Sequence, residues 1–283
     1  MILIGQKNKL QVSRKSDYGL YLTDDTEEKN EVLLPTRYVT PEMKIGDEVE
    51  VFVYTDSEDR PVATTETPYA TVGEFAFLQV EDVNKVGAFL DWGLAGKNLL
   101  VPFSEQKIKM REGGIYLVYV YLDHVSQRVI ASAKVEKFLG NVIPRYRKGQ
   151  RVSALVIDHN PLGYHTIVDN LHRGMIYQNQ TYSPLEVEQT VSAYVTAVRP
   201  DGKIDLTLTA PGAVNRAELL SRKILEAIKD GSLGLNEKST PQQISERLYC
   251  SKRDFKRAIG TLYKQRLIEI DDNGLYFINQ LSK

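Results

Sequence analysis

The 283-residue sequence predicts a mainly β chain that ends in a smaller α+β domain. First, an internal repeat places Gly87 68 positions after Gly19, and Gly114 at the same distance after Gly46. Second, each repeat divides into about five short strands separated by turn residues, which is typical of a small closed Greek-key barrel. Third, the apolar periodicity becomes helical after Pro211.

The composition is that of a folded globular chain, with 42% hydrophobic and 26% charged residues, which excludes bulk disorder. Lys7 and Lys9 interrupt the N-terminal segment, and the longest apolar run is Ile115–Leu122. We therefore expect no signal peptide and no membrane span. Cys250 is the only cysteine, so an intramolecular disulfide is excluded and a cytoplasmic location is expected.

Residues 1–67 and 68–140 are predicted to form the first and second barrels, because their elements follow the same order. In each, one glycine opens a strand, an apolar segment ends at a proline, and a second glycine precedes an alternating strand. An Asp-to-Arg turn and a short last strand complete the five. The apolar segments are Val32–Pro35 and Leu99–Pro102, and the alternating strands are Glu48–Tyr54 and Ile115–Leu122.

Residues 146–210 contain a looser third copy and predict a third barrel. Five apolar segments recur in the same order and are separated by turns. A solenoid is disfavoured because a 68-residue period exceeds the usual length of stacked repeats. The segments are Gln150–Ile157, Leu162–Ile167, Gly174–Tyr177, Thr190–Val198 and Ile204–Leu208.

Residues 213–283 are predicted to form three helices and a hairpin, which describe a winged helix-turn-helix. An apolar stripe predicts the first helix, and a capping box with proline at the first helical position starts the second. A capped third helix has one apolar and one cationic face, and an Asn-Gly turn closes the hairpin. The markers are the stripe Ala217, Leu220, Ile224 and Ile228, the caps Thr240 and Ser251, and the turn Asn273-Gly274.

The sequence contains few residues that could form a catalytic site. It lacks the phosphate-binding, nucleophile-elbow, zincin and dinucleotide motifs. His159, His165 and His172 are the nearest approach to a metal cluster, but they fall on predicted strand and loop at spacings that favour ordinary histidines. We therefore expect no enzyme activity, metal, cofactor or small-molecule substrate.

Aromatic side chains near glycine, interleaved with cations, suit single-stranded nucleic acid. Bases stack on rings while Lys and Arg follow the phosphates. Tyr18 and Tyr21 flank Gly19, and a bulge at that glycine would turn both rings to one face. The alternative for each ring is a place in a barrel core or a scattered surface position.

The glycine-aromatic motif, the apolar segment ending at proline and the Asp-to-Arg turn resemble the S1 RNA-binding domain, an OB-fold repeat. Three such repeats before a winged helix resemble the conserved virulence factor B family of bacterial RNA-binding regulators. The closest likeness lies in Gly87–Gly93 and Leu99–Gln106. The resemblance implies three tandem five-stranded OB-fold barrels, a winged helix, single-stranded RNA binding and control of gene expression, including that of virulence factors.

The resemblance also implies which side chains contact RNA. The positions that match the S1 motif carry aromatic rings, a histidine and turn cations. We add rings and cations close to these positions in the second and third barrels. We rank the second barrel first and the third next, since residues 1–70 carry a net charge of −6 that opposes phosphate binding. The predicted RNA-binding residues are Tyr18, Tyr21, Arg60, Phe89, Trp92, Phe103, Lys107, Arg128, His165, Arg173, Tyr177 and Lys203.

The third helix of the C-terminal domain carries a second candidate surface. Residues 211–283 have a net charge of +4, and a cationic helix face suits either a DNA major groove or an RNA backbone. The predicted contacts are Lys252, Arg253, Lys256 and Arg257.

Three other functions remain open at this stage. A DNA-binding transcriptional regulator would read duplex DNA with the winged helix, and a scaffold on ribosome or polymerase would use the barrels to bind proteins. An RNA-processing enzyme is disfavoured, because no carboxylate pair, metal set or nucleophile-base constellation stands out.

Overall fold

The computed structural model describes residues 1–24, 30–181, 184–211, 216–236, 238–271 and 274–277. The chain forms two compact units, Met1–Leu139 and Gly140–Lys283. The first unit contains two five-stranded barrels, and the second contains a third barrel followed by the helical domain.

The first barrel is closed, with strand order β1-β2-β3-β5-β4. β3 and β5 pair in parallel and close the barrel, while the other neighbouring strands are antiparallel. Alternate side chains of β1, including Leu10 and Val12, fill the core. The strands are β1 (Gln6–Ser16), β2 (Gly19–Thr23), β3 (Glu31–Pro35), β4 (Glu48–Thr55) and β5 (Pro61–Thr64).

The second barrel repeats this architecture. Its hydrogen-bonded order is β10-β9-β6-β7-β8, the same cyclic order as in the first barrel, and β8 and β10 lie side by side. The strands are β6 (Phe75–Val83), β7 (Gly87–Leu94), β8 (Lys97–Pro102), β9 (Ile115–Leu122) and β10 (Val129–Ser132).

The third barrel is closed in the order β11-β12-β13-β15-β14. Its core contains Val152, Val156, Ile176 and Leu206, which come from three of the five strands. The strands are β11 (Arg151–Asn160), β12 (Gly163–Val168), β13 (His172–Tyr177), β14 (Thr190–Val198) and β15 (Ile204–Thr207).

The repeated glycine that opens the second strand of each barrel has a steric cause. A β-carbon on Gly19, Gly87 or Gly163 would overlap the backbone carbonyl oxygen of the residue that precedes the end of the third strand. Gly19 and Gly163 also have φ values of 142° and 148°, a conformation that favours glycine. Close approach of two strands therefore explains the repeat on which the sequence prediction depended.

The predicted bulge lies in a different strand. The ladder between β1 and β2 shifts register between Val12 and Arg14, within β1 rather than at Gly19. The other barrels have the equivalent shift in their first strands. The first strand pairs with two neighbours as it bends around the barrel, which is where a bulge relieves curvature. Tyr18 itself lies in the turn before β2.

The first two barrels share apolar and polar contacts within their unit. The rings of Phe52 and Trp92 meet edge to face with centroids 5.4 Å apart, and the indole nitrogen of Trp92 donates a 2.7 Å hydrogen bond to the carbonyl of Ala70. Arg128 and Asp59 form an ion pair between the barrels at 2.5 Å. The two barrels are thus joined by a common core.

The C-terminal domain consists of α1 (Arg216–Lys229), α2 (Pro241–Leu248), α3 (Lys252–Lys264), β16 (Ile268–Asp271) and β17 (Gly274–Phe277). Thr240 and Gln243 form the predicted capping box, and Ser251 caps α3. The helices bury their apolar stripes together. The predicted fold class is confirmed, although Asn273 of the predicted turn lies outside the described residues.

Candidate nucleic-acid interface

Strand register places three of the predicted rings, those of Tyr21, Phe89 and His165, at equivalent positions in the three barrels. In each, one residue of the first strand, one of the second and one of the third are paired side by side, and we call this set the face row. OB barrels bind oligonucleotides across the face formed by their second and third strands and the adjoining loops. The face rows are Arg14, Tyr21 and Leu33; Asp82, Phe89 and Leu100; and Asp158, His165 and Met175.

The face row of the first barrel is occupied by its own side chains. The guanidinium of Arg14 lies 3.5 Å from the ring centroid of Tyr21 and is paired with Glu31 at 2.7 Å. One face of the ring is therefore covered, and the charge of Arg14 is compensated. Tyr18, with 76% exposure, remains open to solvent.

The second barrel has fewer available groups than the sequence predicts. Trp92 is only 1% exposed, so the prediction that its ring stacks on a base is wrong, because the ring belongs to the core between two barrels. Phe89 is half-buried on the face row, and Phe103 is 45% exposed. Lys107 is paired with Glu136 at 2.5 Å. Asp82 adds an exposed negative charge next to Phe89.

The predicted turn cations all have acidic partners. Arg60 pairs with Asp56 and Glu58, both at 2.8 Å. Arg128 pairs with Asp59, and Lys203 pairs with Asp201 at 3.1 Å. The hydrogen bond from Arg128 is the main cause of a lowered pKa at Asp59. Phosphate would therefore compete with a neighbouring carboxylate for each of these cations.

The third barrel carries an exposed cation next to its face row. His165 is half-buried with its Nδ1 3.6 Å from a carboxylate oxygen of Asp158. Arg173 lies on β13, two residues before the face-row position of Met175. It is exposed, and none of the ion pairs found in the described part of the chain involves it. A free cation next to a face row is the arrangement that phosphate binding requires.

Tyr177 is held in place at the end of β13. Its hydroxyl donates to Asp205 at 3.4 Å and accepts a hydrogen bond from Arg199. Arg199 and Asp205 are themselves paired at 2.8 Å. Sequence analysis missed Arg199 and Asp205, as it missed Arg14 and Glu31, because only the strand pairing of the folded barrel brings them to the rings.

A groove of about 380 Å³ separates this end of the third barrel from the helical domain. Leu162, which is 68% exposed, and Tyr177 line one side, while Tyr249 and Lys252 line the other. The ammonium of Lys252 also donates a 2.8 Å hydrogen bond to the carbonyl of Ser239. Aromatic and cationic groups from two domains thus border one opening.

The exposed face of α3 continues from this groove. Arg253, Lys256 and Arg257 are exposed, and no ion pair in the described part of the chain uses them. Lys252, the fourth predicted cation, is half-buried. The opposite face buries Phe255 and Ile259, so packing directs the cations to solvent.

The histidine cluster considered from the sequence does not assemble. His172 is buried and its Nε2 lies 2.7 Å from the carbonyl of Val142. A carbonyl only accepts, so Nε2 carries a proton, and Nδ1 lies 3.1 Å from the hydroxyl oxygen of Tyr146. Burial raises the pKa of Tyr146 to about 12. Over the described ranges, no group of three or more potential ligands could hold a metal ion.

None of the helices in the described part of the chain has the length and apolar character needed to cross a bilayer.

Five-stranded barrels in tandem, a winged helix, and rings and cations on adjoining surfaces define a class of nucleic-acid-binding protein. Residues 4–66 match the family model of an S1 domain. Residues 222–277 match the family model of a CvfB-like winged helix domain. General nucleic-acid binding is therefore supported by both ends of the chain.

Relatives extend the likeness over most of the sequence. The chain is 26% identical over 282 residues to the uncharacterized protein YitL of Bacillus subtilis (strain 168), covering 96% of this chain and 93% of the relative. It is 26% identical over 239 residues to conserved virulence factor B of Staphylococcus aureus (strain USA300), covering 81% and 79%. The predicted resemblance to the conserved virulence factor B family is thereby confirmed.

Among solved structures, the chain is similar to a multidomain protein with nucleic acid binding domains from Streptococcus pneumoniae TIGR4. The two are 22% identical with a TM-score of 0.40, and the match covers 97% of this chain and 98% of the other.

Proposed function

We propose that the protein is a non-enzymatic RNA-binding regulator that holds single-stranded RNA across the third barrel and the winged helix. The observation that carries the proposal is the groove in which Leu162 and Tyr177 face Lys252. The ring of Tyr177 can stack on a base in this groove, while Arg173 and the exposed cations of α3 contact phosphates.

Single-stranded RNA suits this groove better than a duplex does. Unpaired bases can splay out and stack on rings, whereas a duplex keeps its bases inside. The Staphylococcus aureus relative bears the name conserved virulence factor B, and we extend the proposal to a role in virulence. In this proposal, binding changes the translation or lifetime of a cytoplasmic transcript.

The first two barrels have a secondary role in the proposal. Tyr18, Phe89 and Phe103 offer rings, but the cations predicted in these barrels, Arg60, Lys107 and Arg128, are paired with carboxylates. They would extend the contact along a longer RNA rather than bind it alone, because phosphate contacts supply most of the affinity.

Fluorescence anisotropy with one 12-nucleotide sequence tests the proposal, using single-stranded RNA, single-stranded DNA and duplex DNA. Wild-type protein should bind single-stranded RNA most tightly. Replacing Tyr177 by Ala should weaken that binding about five- to a hundredfold, as loss of one stacked base does. Tyr177→Phe is the matched control, since it keeps the ring and removes only the hydroxyl.

Arg60→Ala serves as the second control because Arg60 is exposed but paired with Asp56 and Glu58. It should leave RNA affinity nearly unchanged, whereas Arg173→Ala should weaken binding and reduce the salt slope by about 0.7. Equal affinity for RNA by wild type and Tyr177→Ala would contradict the proposed site.

The exposed cations of α3 also favour a second candidate, a DNA-binding regulator that reads duplex DNA with its winged helix. Preference for duplex DNA, lost in Lys256→Ala/Arg257→Ala and unaffected by Tyr177→Ala, would select this alternative.

A further inference from the structure

Gly260 lies at the centre of the cationic face of α3. Residues of an α-helix are spaced by about 100° around its axis, so positions 253, 256, 257, 260 and 264 share one side. Arg253, Lys256, Arg257 and Lys264 are all exposed. Gly260, the one residue on this side of the helix that has no side chain, is therefore surrounded by four cations.

The fold gives no reason for a glycine at this position. A β-carbon on Gly260 would meet no atom within 4 Å, and Gly260 is absent from the residues with positive φ. Glycine inside a helix lowers stability relative to alanine. By contrast, Ala258 and Ile259 are buried against the other helices.

We infer that Gly260 is the point where the phosphodiester backbone of the bound nucleic acid lies against α3. This inference rests on the proposed function and adds a positioning residue to it. Without a side chain, the helix surface admits the sugar-phosphate chain closer to the helix axis. The four flanking cations then reach phosphates on both sides of the contact, which supplies the charge complementarity.

Substitution of Gly260 should change stability and affinity in opposite directions. In the full chain, Gly260→Ala should raise the Tm of the helical domain by about 2–8 °C and weaken nucleic-acid binding about fivefold, because a methyl group added at a close contact is poorly accommodated. Gly260→Leu should weaken binding about tenfold or more, because its longer side chain holds the backbone away from all four cations. The probes are a labelled 12-nucleotide single-stranded RNA and a 16-base-pair DNA duplex.

Thr261→Leu is the matched control, because Thr261 is exposed on the same helix but about 100° around the axis from Gly260. It should leave affinity for both probes unchanged. Equal weakening by Thr261→Leu and Gly260→Leu would overturn the inference, since added bulk anywhere on α3 would then suffice. If Gly260→Leu fails to fold, Gly260→Ala alone decides.

Lys256→Ala/Arg257→Ala separates this inference from the proposed function. If the double variant weakens binding and both Gly260 variants bind normally, α3 contacts nucleic acid but the close approach at Gly260 is disproved. If the double variant also binds normally, the inference and the proposed role of the winged helix both fail.

Discussion

At the residue scale, Trp92 shows how one aromatic side chain can serve packing where its sequence neighbourhood suggests binding. It stands near Gly87 and Phe89, in the segment where the sequence predicts the closest likeness to an S1 domain, whereas the S1 family model matches residues 4–66. Its ring nevertheless meets Phe52 from the preceding barrel. Local sequence cannot distinguish these roles, because the partner that buries the ring lies 40 residues away.

Replacing Trp92 by Ala should lower the free energy of unfolding of the first unit by about 3–5 kcal/mol, as for other large buried rings. Phe103→Ala should cost less than about 1 kcal/mol, because Phe103 is exposed. Urea denaturation followed by fluorescence and circular dichroism measures both. Similar costs for the two variants would mean that Trp92 is not a core residue.

The pair of Asp59 and Arg128 gives a prediction about pH. The hydrogen bond from Arg128 lowers the pKa of Asp59 below its usual value. The stabilisation is therefore present above the usual carboxyl pKa and is lost as pH falls through the lowered value. Carboxyl resonances followed by NMR should show a midpoint that rises in Arg128→Gln, and an unchanged midpoint would show that the ion pair does not form in solution.

At the element scale, the sequence was sufficient to predict five strands in each barrel and the three helices, because periodicity and turn residues are local signals. The glycines that open β2, β7 and β12 recur because backbones approach closely there. The availability of the cations was not predictable. Arg60, Arg128 and Lys203 look equivalent in sequence, and only the folded loops show that each has an acidic partner.

Two glycine-to-alanine variants should have opposite effects on stability. Gly163→Ala introduces a β-carbon that overlaps the carbonyl of Ile176 at an unfavourable φ, so we expect a loss of about 2 kcal/mol or more from the third barrel. Gly260→Ala should stabilise the helical domain by up to about 1 kcal/mol. Calorimetry on the full chain would detect both changes, and a stable Gly163→Ala variant would contradict the steric account of the repeat.

At the scale of the whole molecule, charge and surface chemistry favour the second unit as the main binding region. Residues 1–70 are acidic, and the cations predicted in the first two barrels are paired. The sequence did not predict the groove beside Tyr177, because its two sides belong to domains whose packing involves residues far apart in the chain.

Hydrogen-deuterium exchange on the intact protein tests this distribution. Addition of a 12-nucleotide single-stranded RNA should slow exchange in β12, β13 and α3 more than in the strands of Met1–Leu139, because bound nucleic acid covers the face it contacts. The exchange rates of heat-denatured protein with the same RNA give the reference for unprotected amides. Protection confined to the first unit would place the principal site on the first two barrels instead.

The edge-to-face pair of Phe52 and Trp92 also limits how the first two barrels can be exchanged during evolution or protein engineering. If the chain were cut near residue 67, Phe52 and Trp92 would each lose the ring that now covers it and would be exposed to water. Isolated copies would then present matching apolar patches, which promote self-association. The first two barrels must therefore be transferred to another protein together, as residues 1–139.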